Sequence, residues 1–186
     1  MASRDARSRA FGVVSLVMTT PLNASLRIRP AVEADLPELN AIFNYYVAHS
    51  ACVWTTQPVS REQRFEWFRG RAAPISVLAA ELDGTVVGWA ALSWFKTAAT
   101  FHRVVEDSVY VHPEFHRRGI GRTLLRRLIA SARECELSSI VALISDDQLP
   151  SIELHRREGF REQGRLVKVG FKFGRWYDAV YLQLPL

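Results

Sequence analysis

The feature of this chain that most clearly predicts chemistry is a basic, glycine-bearing turn between an apolar strand and a long helix. The turn is Arg117-Arg118-Gly119-Ile120-Gly121-Arg122, and it follows the strand residues Val109-Tyr110-Val111. Glycines let backbone N–H groups approach a ligand, and a helix N-terminus adds unpaired donors with a partial positive charge. Such a turn can hold a pyrophosphate. The glycines alone are equally consistent with a tight turn that binds nothing, but the arginines and the long helix favour phosphate.

Two familiar nucleotide motifs do not match this turn. No Gly-Lys-Ser/Thr run follows it, and its G-x-G lacks the third glycine of the dinucleotide fingerprint. The formal charge of +5 admits a nucleic-acid surface, but no aromatic residue lies between the arginines of segment 117–127. A phosphate-bearing small ligand therefore explains them better than nucleic acid. No His, Cys and carboxylate cluster has ligand spacing, so no metal is predicted.

The patterns around the turn predict one mixed α+β domain. Asp83-Gly84 is a strong hairpin signal, Ser60 with Gln63 predicts a helix start, and segment 119–137 carries an apolar stripe at helical spacing. The predicted strands are 26–29, 75–81, 86–94, 104–111, 139–144, 160–169 and 171–184, and further helices start near residues 35 and 150. Hairpins with one strand–helix–strand crossover predict a mostly antiparallel sheet flanked by helices.

The first 25 residues stand apart from this domain, which we assign to residues 26–186. Residues 1–25 hold three arginines and an apolar run, but no small-residue cleavage site, and the run is shorter than the ~20 residues that span a bilayer. We expect a poorly ordered extension, with Met18 as an alternative start of translation. The two cysteines, Cys52 and Cys135, are expected to be reduced thiols. Together these features predict a cytoplasmic protein that does not bind membranes.

The turn resembles the acetyl-CoA motif of the GCN5-related N-acetyltransferase (GNAT) superfamily. That motif is Gln/Arg-x-x-Gly-x-Gly/Ala, and this chain has His116-Arg117-Arg118-Gly119-Ile120-Gly121, with a histidine in the first position. The resemblance implies that residues 117–122 hold the pyrophosphate of acetyl-CoA, the co-substrate. It also implies that the backbone of Val109, Tyr110 and Val111 pairs with the pantetheine arm like an added strand, in a slot where two strands splay.

Over residues 27–184 the chain is similar to the phosphinothricin / methionine sulfoximine N-acetyltransferase family. The segments that carry this resemblance are 29–31 with Asp35, 54–58, 105–111, 151–155, 158–160 and 170–178. The segment before Tyr110 and the C-terminal segment are together quite specific. Members commonly acetylate amino-acid-like amines and are commonly homodimers, so the resemblance implies a small-molecule amine substrate and a homodimer.

Two catalytic residues are implied by the same resemblance. Glu106 is expected to accept the proton of the substrate ammonium through water, although a free carboxyl pKa of about 4.3 makes it a weak base unless it is buried. Spacing alone favours a solvated or Arg103-paired glutamate. His155 stands where the superfamily often has a tyrosine that protonates the CoA thiolate, and Gln148 stands where it has an asparagine. A histidine packed against the sheet is an equally good interpretation of His155.

The acceptor pocket is implied by one tryptophan and one loop. The resemblance places Trp54 and Ala99-Thr100-Phe101 at the amine, and Lys96 and Arg103 are candidate partners for a substrate carboxylate. The acidic and glycine residues expected in that loop are Ala99 and Thr100 here. Activity on phosphinothricin itself is therefore a weaker expectation than acetyl transfer. The other two tryptophans considered, Trp67 and Trp89, are assigned to the core.

These features predict an acetyl-CoA-dependent N-acetyltransferase that acylates a small amino-acid-like amine by direct attack on the thioester. Three alternatives stay open: a protein N-terminus or peptide lysine as the acceptor, an acetyl-CoA-binding module without catalysis, and nucleic-acid binding through the arginine-rich helix. A pocket closed by Trp54 argues against a protein acceptor. The presence of Glu106 argues against a module without catalysis.

Overall fold

A seven-stranded sheet and four α-helices make up the part of the chain that the computed structural model describes, residues 26–186. The strands are β1 (Arg27–Pro30), β2 (Val77–Leu82), β3 (Thr85–Trp94), β4 (Val104–Val111), β5 (Ser139–Ser145), β6 (Arg161–Lys172) and β7 (Arg175–Pro185). The helices are α1 (Leu36–His49), α2 (Arg61–Arg69), α3 (Ile120–Glu134) and α4 (Leu149–Arg157). The predictions for residues 1–25 lie outside the described residues.

The strand order confirms the predicted fold class. The order is β1-β2-β3-β4-β5-β7-β6, and every neighbouring pair is antiparallel except β4 with β5. The parallel pair is joined through α3, the strand–helix–strand crossover that the sequence predicts.

Alternate residues of β3 supply two hydrophobic layers, one on each face of the sheet. Ala90 and Leu92 pack with the apolar stripe of α3, whereas Trp89 and Ala91 pack with α1 and the aromatic residues of α2. Trp89 is 2% exposed, which confirms its core assignment. The sheet thus separates an α3 layer from an α1–α2 layer, and β4 lies between them at the centre.

Local signals in the sequence explain where several elements begin. The Ser60 hydroxyl accepts from the Gln63 N–H at 3.2 Å, and the Gln63 side chain accepts from the Ser60 N–H at 2.8 Å, which confirms the predicted capping box of α2. Asp83 and Gly84 both have positive φ and join β2 to β3, as predicted.

The C-terminal hairpin differs from the sequence prediction. We expect a break at Gly170, but β6 continues through it, and the turn falls at Phe173-Gly174, where Lys172 pairs with Arg175. The Trp54 ring lies directly over Gly170, where a side chain would clash with it. Gly170 is therefore a strand residue that leaves space for a neighbouring ring, and it is not part of a turn.

The two central strands separate part of the way along their length. β4 and β5 pair only from Val104 with Ser139 to Glu106 with Val141. Beyond Glu106, β4 follows β3 as far as Val111, and β5 follows β7 as far as Ser145. The slot that the resemblance implies is therefore present between β4 and β5.

Candidate active site

The slot between β4 and β5 opens into a cavity of about 890 Å³. We call it the main cavity. Its lining includes most of the predicted site residues: Trp54, Glu106, Val109, Tyr110, Val111, Arg117, Gly119, Ile120, Gly121, Arg122, Gln148 and His155. Arg118 is the one predicted cofactor residue that does not line it. The fold thus brings together residues that lie up to a hundred positions apart in the chain.

Backbone donors are concentrated at the turn between β4 and α3. Arg117 and Gly119 both have left-handed backbone angles, with φ of 61° and 79°, an arrangement that strains a residue with a side chain. Among the described residues, none of the backbone N–H groups of residues 117–122 donates to a backbone carbonyl. Six consecutive open donors at a helix N-terminus suit a ligand with several anionic oxygens, so the turn fits the pyrophosphate of acetyl-CoA.

Several arginine side chains near the turn are less available to bind a ligand than the backbone N–H groups of the turn, because they already pair with carboxylates of the protein. Arg122 and Arg126 donate from Nε to the two oxygens of Glu158, at 2.6 and 2.7 Å. Burial opposes ionisation of Glu158, but the two guanidiniums outweigh it and lower the pKa of this carboxyl. The α3 arginines are therefore partly neutralised within the protein, while Arg117 and Arg118 stay exposed.

His116, the departure from the usual motif, is tied to the end of β4. Its Nε2 lies 2.6 Å from the Tyr46 hydroxyl and 3.0 Å from the Val111 carbonyl oxygen. The Tyr46 hydroxyl also donates to the same carbonyl. These contacts hold the turn against α1, so a histidine at this position supports the turn from outside it.

Glu106 is half-buried in the wall of the main cavity, at the last residue of β4 that pairs with β5. Burial raises the pKa of its carboxyl, the charge of Asp107 raises it further, and Lys96 opposes them. The predicted alternative partner, Arg103, instead donates from Nε to the Glu136 carbonyl at 2.9 Å. A buried carboxylate with a raised pKa is a stronger base than a solvated one.

His155 is paired with a carboxylate that sequence reasoning missed. Its Nε2 lies 3.1 Å from Oδ2 of Asp107, and its Nδ1 lies 2.7 Å from the Ser151 carbonyl oxygen. Burial lowers the pKa of His155, but the charge of Asp107 and both hydrogen bonds outweigh it, and the pKa is raised. Strand alternation gives the signal for Asp107, because it must face the side opposite Glu106, where α4 packs.

Trp54 lies on the loop after α1, where it both lines the main cavity and is 37% exposed, which puts its ring at the cavity mouth. A Cβ placed on Gly170 would lie 2.1 Å from Cζ3 of its ring. The loop is also fixed by Lys172, whose ammonium donates to the carbonyls of Ser50 and Val53 at 2.7 and 2.8 Å. The last residues of β6 thus hold the loop that carries Trp54.

The other predicted acceptor residues lie outside the lining of the main cavity. Lys96 is exposed with its ammonium 5.1 Å from the Phe95 ring centre, and Ala99, Thr100 and Phe101 form one exposed helical turn. The charge of Lys96 nevertheless acts on Glu106. A role for this loop in substrate binding stays a prediction.

Two kinds of feature are lacking among residues 26–186, a membrane-spanning helix and a cluster of metal ligands. No helix in this part of the chain is long and apolar enough to cross a membrane. Nor does it contain a group of three or more His, Cys, Asp or Glu side chains that could hold a metal ion.

Known proteins resemble this chain over most of its length. The acetyltransferase (GNAT) family model matches residues 39–160. A methionine sulfoximine/methionine sulfone acetyltransferase of Pseudomonas aeruginosa is 41% identical over 87% of this chain and 95% of its own length. A phosphinothricin N-acetyltransferase of Alcaligenes faecalis is 35% identical over 86% of this chain and 82% of its own.

Two solved structures extend the comparison to the fold. A Salmonella typhimurium structure determined with acetyl-CoA has a TM-score of 0.85 at 38% identity, over 88% of this chain and 95% of that one. A Brucella melitensis ribosomal-protein-alanine N-acetyltransferase has a TM-score of 0.84 at 43% identity, over 87% and 100%. The family match and these likenesses agree with the open turn before α3 and the slot beside β4: the chain belongs to the GNAT acetyltransferase family and is a relative of the phosphinothricin and methionine sulfoximine N-acetyltransferases.

Proposed function

We propose that the chain transfers the acetyl group of acetyl-CoA to the primary amine of a small amino-acid-like molecule, of the methionine sulfoximine or phosphinothricin type. The observation that carries the proposal is that one cavity is lined both by the turn before α3, with its N–H groups that lack backbone acceptors, and by Glu106. An anion site beside a half-buried base suits acyl transfer from a pyrophosphate-bearing donor to an ammonium.

In the proposed reaction the residues of the main cavity bind acetyl-CoA, remove a proton from the amine and stabilise the charge that forms on the carbonyl oxygen. Acetyl-CoA supplies the thioester, and residues 117–122 with the open edge of β4 would hold it. Glu106, through a water molecule, accepts the proton of the substrate ammonium, and the neutral amine attacks the thioester carbonyl. A backbone N–H near Val109 donates to the charge that develops on the carbonyl oxygen.

His155 stays a prediction as the acid that protonates the departing thiolate. Both of its ring nitrogens already face protein acceptors, Asp107 and the Ser151 carbonyl. A proton can therefore leave His155 only when one of these hydrogen bonds is given up. The raised pKa favours the doubly protonated ring that this role needs.

A protein N-terminus is the second candidate acceptor. It is favoured by the likeness to the Brucella melitensis structure, whose name specifies a ribosomal protein alanine. The position of Trp54 at the cavity mouth favours a small molecule instead. A peptide with an N-terminal alanine, offered beside free amino acids, separates the two.

The proposal includes a homodimer in the cytoplasm, without membrane or nucleic-acid partners. Its support is the outer edge of the sheet, where β6 is exposed along nearly its whole length. Large apolar side chains of β6 and of the end of the β6–β7 hairpin are more than two-fifths exposed: Leu166, Val167, Val169, Phe171, Phe173 and Trp176. A long apolar edge is ordinarily covered. Analytical ultracentrifugation of wild type and of Val167→Lys tests the dimer. We expect a dimer mass for wild type and a shift toward the monomer mass for the variant, and a wild-type monomer refutes the homodimer.

The experiment that tests the proposed activity measures CoA released from acetyl-CoA with a panel of amines. The panel contains methionine sulfoximine, methionine sulfone, phosphinothricin, common amino acids, a polyamine and an alanine-terminated peptide. We expect turnover with at least one amino-acid-like amine and little with the peptide. Acetyl-CoA binding without turnover on any amine would refute the enzyme and support a binding module.

A further inference from the structure

A second cavity, of about 420 Å³, lies on the α1–α2 face of the sheet. We call it the arginine cavity. It shares part of its wall with the main cavity, because four residues line both: Phe43, Thr55, Ser108 and Tyr110. Two arginines, Arg64 and Arg71, line it among aromatic rings, and neither has a part in the proposed mechanism.

Arg64 is a buried cation that lacks a counter-charge in the described part of the chain. It is 4% exposed, its Nε donates to the Asn40 side chain at 3.1 Å, and its guanidinium lies 4.5 Å from the Phe43 ring centre and 4.7 Å from that of Trp67. Aromatic faces offset only part of the cost of burying a charge. Burial lowers the pKa of Arg64 to about 10, with no carboxylate opposing it.

Arg71 is the second cation of this cavity and is half-buried, with its guanidinium 3.9 Å from the Trp67 ring centre. It donates from Nη2 to the Ser93 hydroxyl at 2.8 Å and from Nη1 to the Leu92 carbonyl. Burial lowers the pKa of Arg71 to about 10, and the like charge of Arg64 adds to this effect. Two like charges held in one cavity are stabilised by an anion between them.

The sheet register connects this pair of cations to the proposed base. Ser93, which accepts from Arg71, is directly opposite Glu106 in the β3–β4 ladder. Side chains opposite each other on one face have Cβ atoms about 5 Å apart. An α-amino acid carries its carboxylate one carbon from its amine, so an amine near Glu106 places that carboxylate within reach of Arg71.

One more polar group borders the arginine cavity without a partner. Trp89 lines the cavity, and its Nε1 is buried with no hydrogen-bond acceptor among residues 26–186. An unpaired buried donor costs free energy that an acceptor oxygen relieves. The residue that carries this donor lines the same cavity as the two arginines.

We propose that the arginine cavity binds the carboxylate of the acceptor, with Arg71 and Arg64 supplying its counter-charge. The assignment rests on the proposed acetyl transfer to an amino-acid-like amine and identifies the residues that would hold the carboxylate of that acceptor. It moves carboxylate recognition away from Arg103, whose guanidinium is occupied by the Glu136 carbonyl. Arginine matches a carboxylate with two parallel N–H donors.

The test compares methionine sulfone with its carboxamide, which keeps the amine and side chain but lacks the negative charge. In Arg71→Gln and Arg64→Gln, kcat/KM for methionine sulfone should fall tenfold or more, about 1.4 kcal/mol. The loss should appear mainly in KM, because this contact is made before the chemical step. For the carboxamide, kcat/KM should change less than threefold, which also proves that each variant is folded.

Arg69→Gln, on the helix that also carries Arg64, is the matched control, because Arg69 is exposed at the surface beside Glu66 and Phe65. Its kinetics with both acceptors should equal those of wild type. Calorimetric titration of methionine sulfone and the carboxamide gives the same comparison without turnover, so failure of acetyl transfer is separable from failure of the carboxylate site. Equal losses for acid and carboxamide, or no loss for the acid in either variant, would overturn the assignment.

Discussion

The indole ring of Trp54 lies against the backbone of Gly170, so close that a Cβ at Gly170 would meet Cζ3 at 2.1 Å. The two residues are far apart in the chain, and their contact joins the mouth of the main cavity to the C-terminal end of strand β6. Because β6 also carries the apolar edge proposed to be covered by a second copy, changes at that edge can reach the acceptor side of the cavity.

Gly170→Ala should displace Trp54 and weaken acceptor binding. We expect KM for methionine sulfone to rise at least severalfold, with acetyl-CoA affinity unchanged, because the ring and not the turn before α3 is disturbed. Gly164→Ala is the control, since Gly164 lies in the same strand and a Cβ there meets nothing within 4 Å. Identical kinetics for the two variants would show that the Trp54 contact has no part in catalysis.

Gly119→Val should weaken acetyl-CoA binding more than tenfold, over ~1.4 kcal/mol. The φ of Gly119 is 79°, a backbone angle that is unfavourable for a β-branched residue. We expect valine to change the backbone of the turn, so that its N–H groups no longer point toward the ligand. A Cβ at Gly121 makes ordinary contacts at 3.6 Å or more, so the effect should come mostly from Gly119. Gly84→Val, with a φ of 80° in the β2–β3 turn, carries the same backbone strain away from the site. Calorimetry that finds equal affinity in both variants would place the nucleotide elsewhere.

Glu106→Gln should reduce turnover by about 10²–10⁴-fold, the range of general-base catalysis, while leaving acetyl-CoA affinity nearly unchanged. The raised pKa of Glu106 means that the wild-type rate falls as the carboxyl protonates at low pH and rises as it ionises. The variant should lose this limb of the pH profile and regain part of its rate at high pH, where the free amine is already neutral. An unchanged rate would make Glu106 structural, and lost acetyl-CoA affinity would assign it to the cofactor slot.

Asp107→Asn should destabilise the fold in a pH-dependent way. Asp107 raises the pKa of His155 in the folded state, so the pair contributes stability fully below the ordinary histidine pKa of ~6.5, and this stability is lost as pH rises through the folded value. Breaking such a buried pair costs about 3 kcal/mol or more. The unfolding free-energy difference between variant and wild type, from urea titrations, should be largest near pH 6 and shrink toward pH 9. A difference that is constant with pH would show that His155 is not charged in the folded protein.

Local patterns in the sequence predicted most of the secondary structure and the glycine-bearing turn before α3. The Ser60 cap, the Asp83-Gly84 turn, the α3 stripe and the phosphate turn each depend on residues within a few positions, and such signals are readable without a fold. The resemblance added Glu106, His155 and Trp54, which all line the main cavity.

Tertiary structure decided which of these residues meet, and what each one can do there. The carboxylate beside His155 belongs to Asp107 on β4, 48 positions away in the chain. Arg103 donates to the backbone carbonyl of Glu136, 33 positions away, and not to the carboxylate of Glu106. Gly170, which suggests a turn by itself, is needed in a strand because Trp54 packs on it. The pairing of Arg64 and Arg71 around one cavity depends on how α2 lies over β3. Such contacts follow from the packing of whole layers, since the free energy that brings distant groups together comes from burial across the entire sheet.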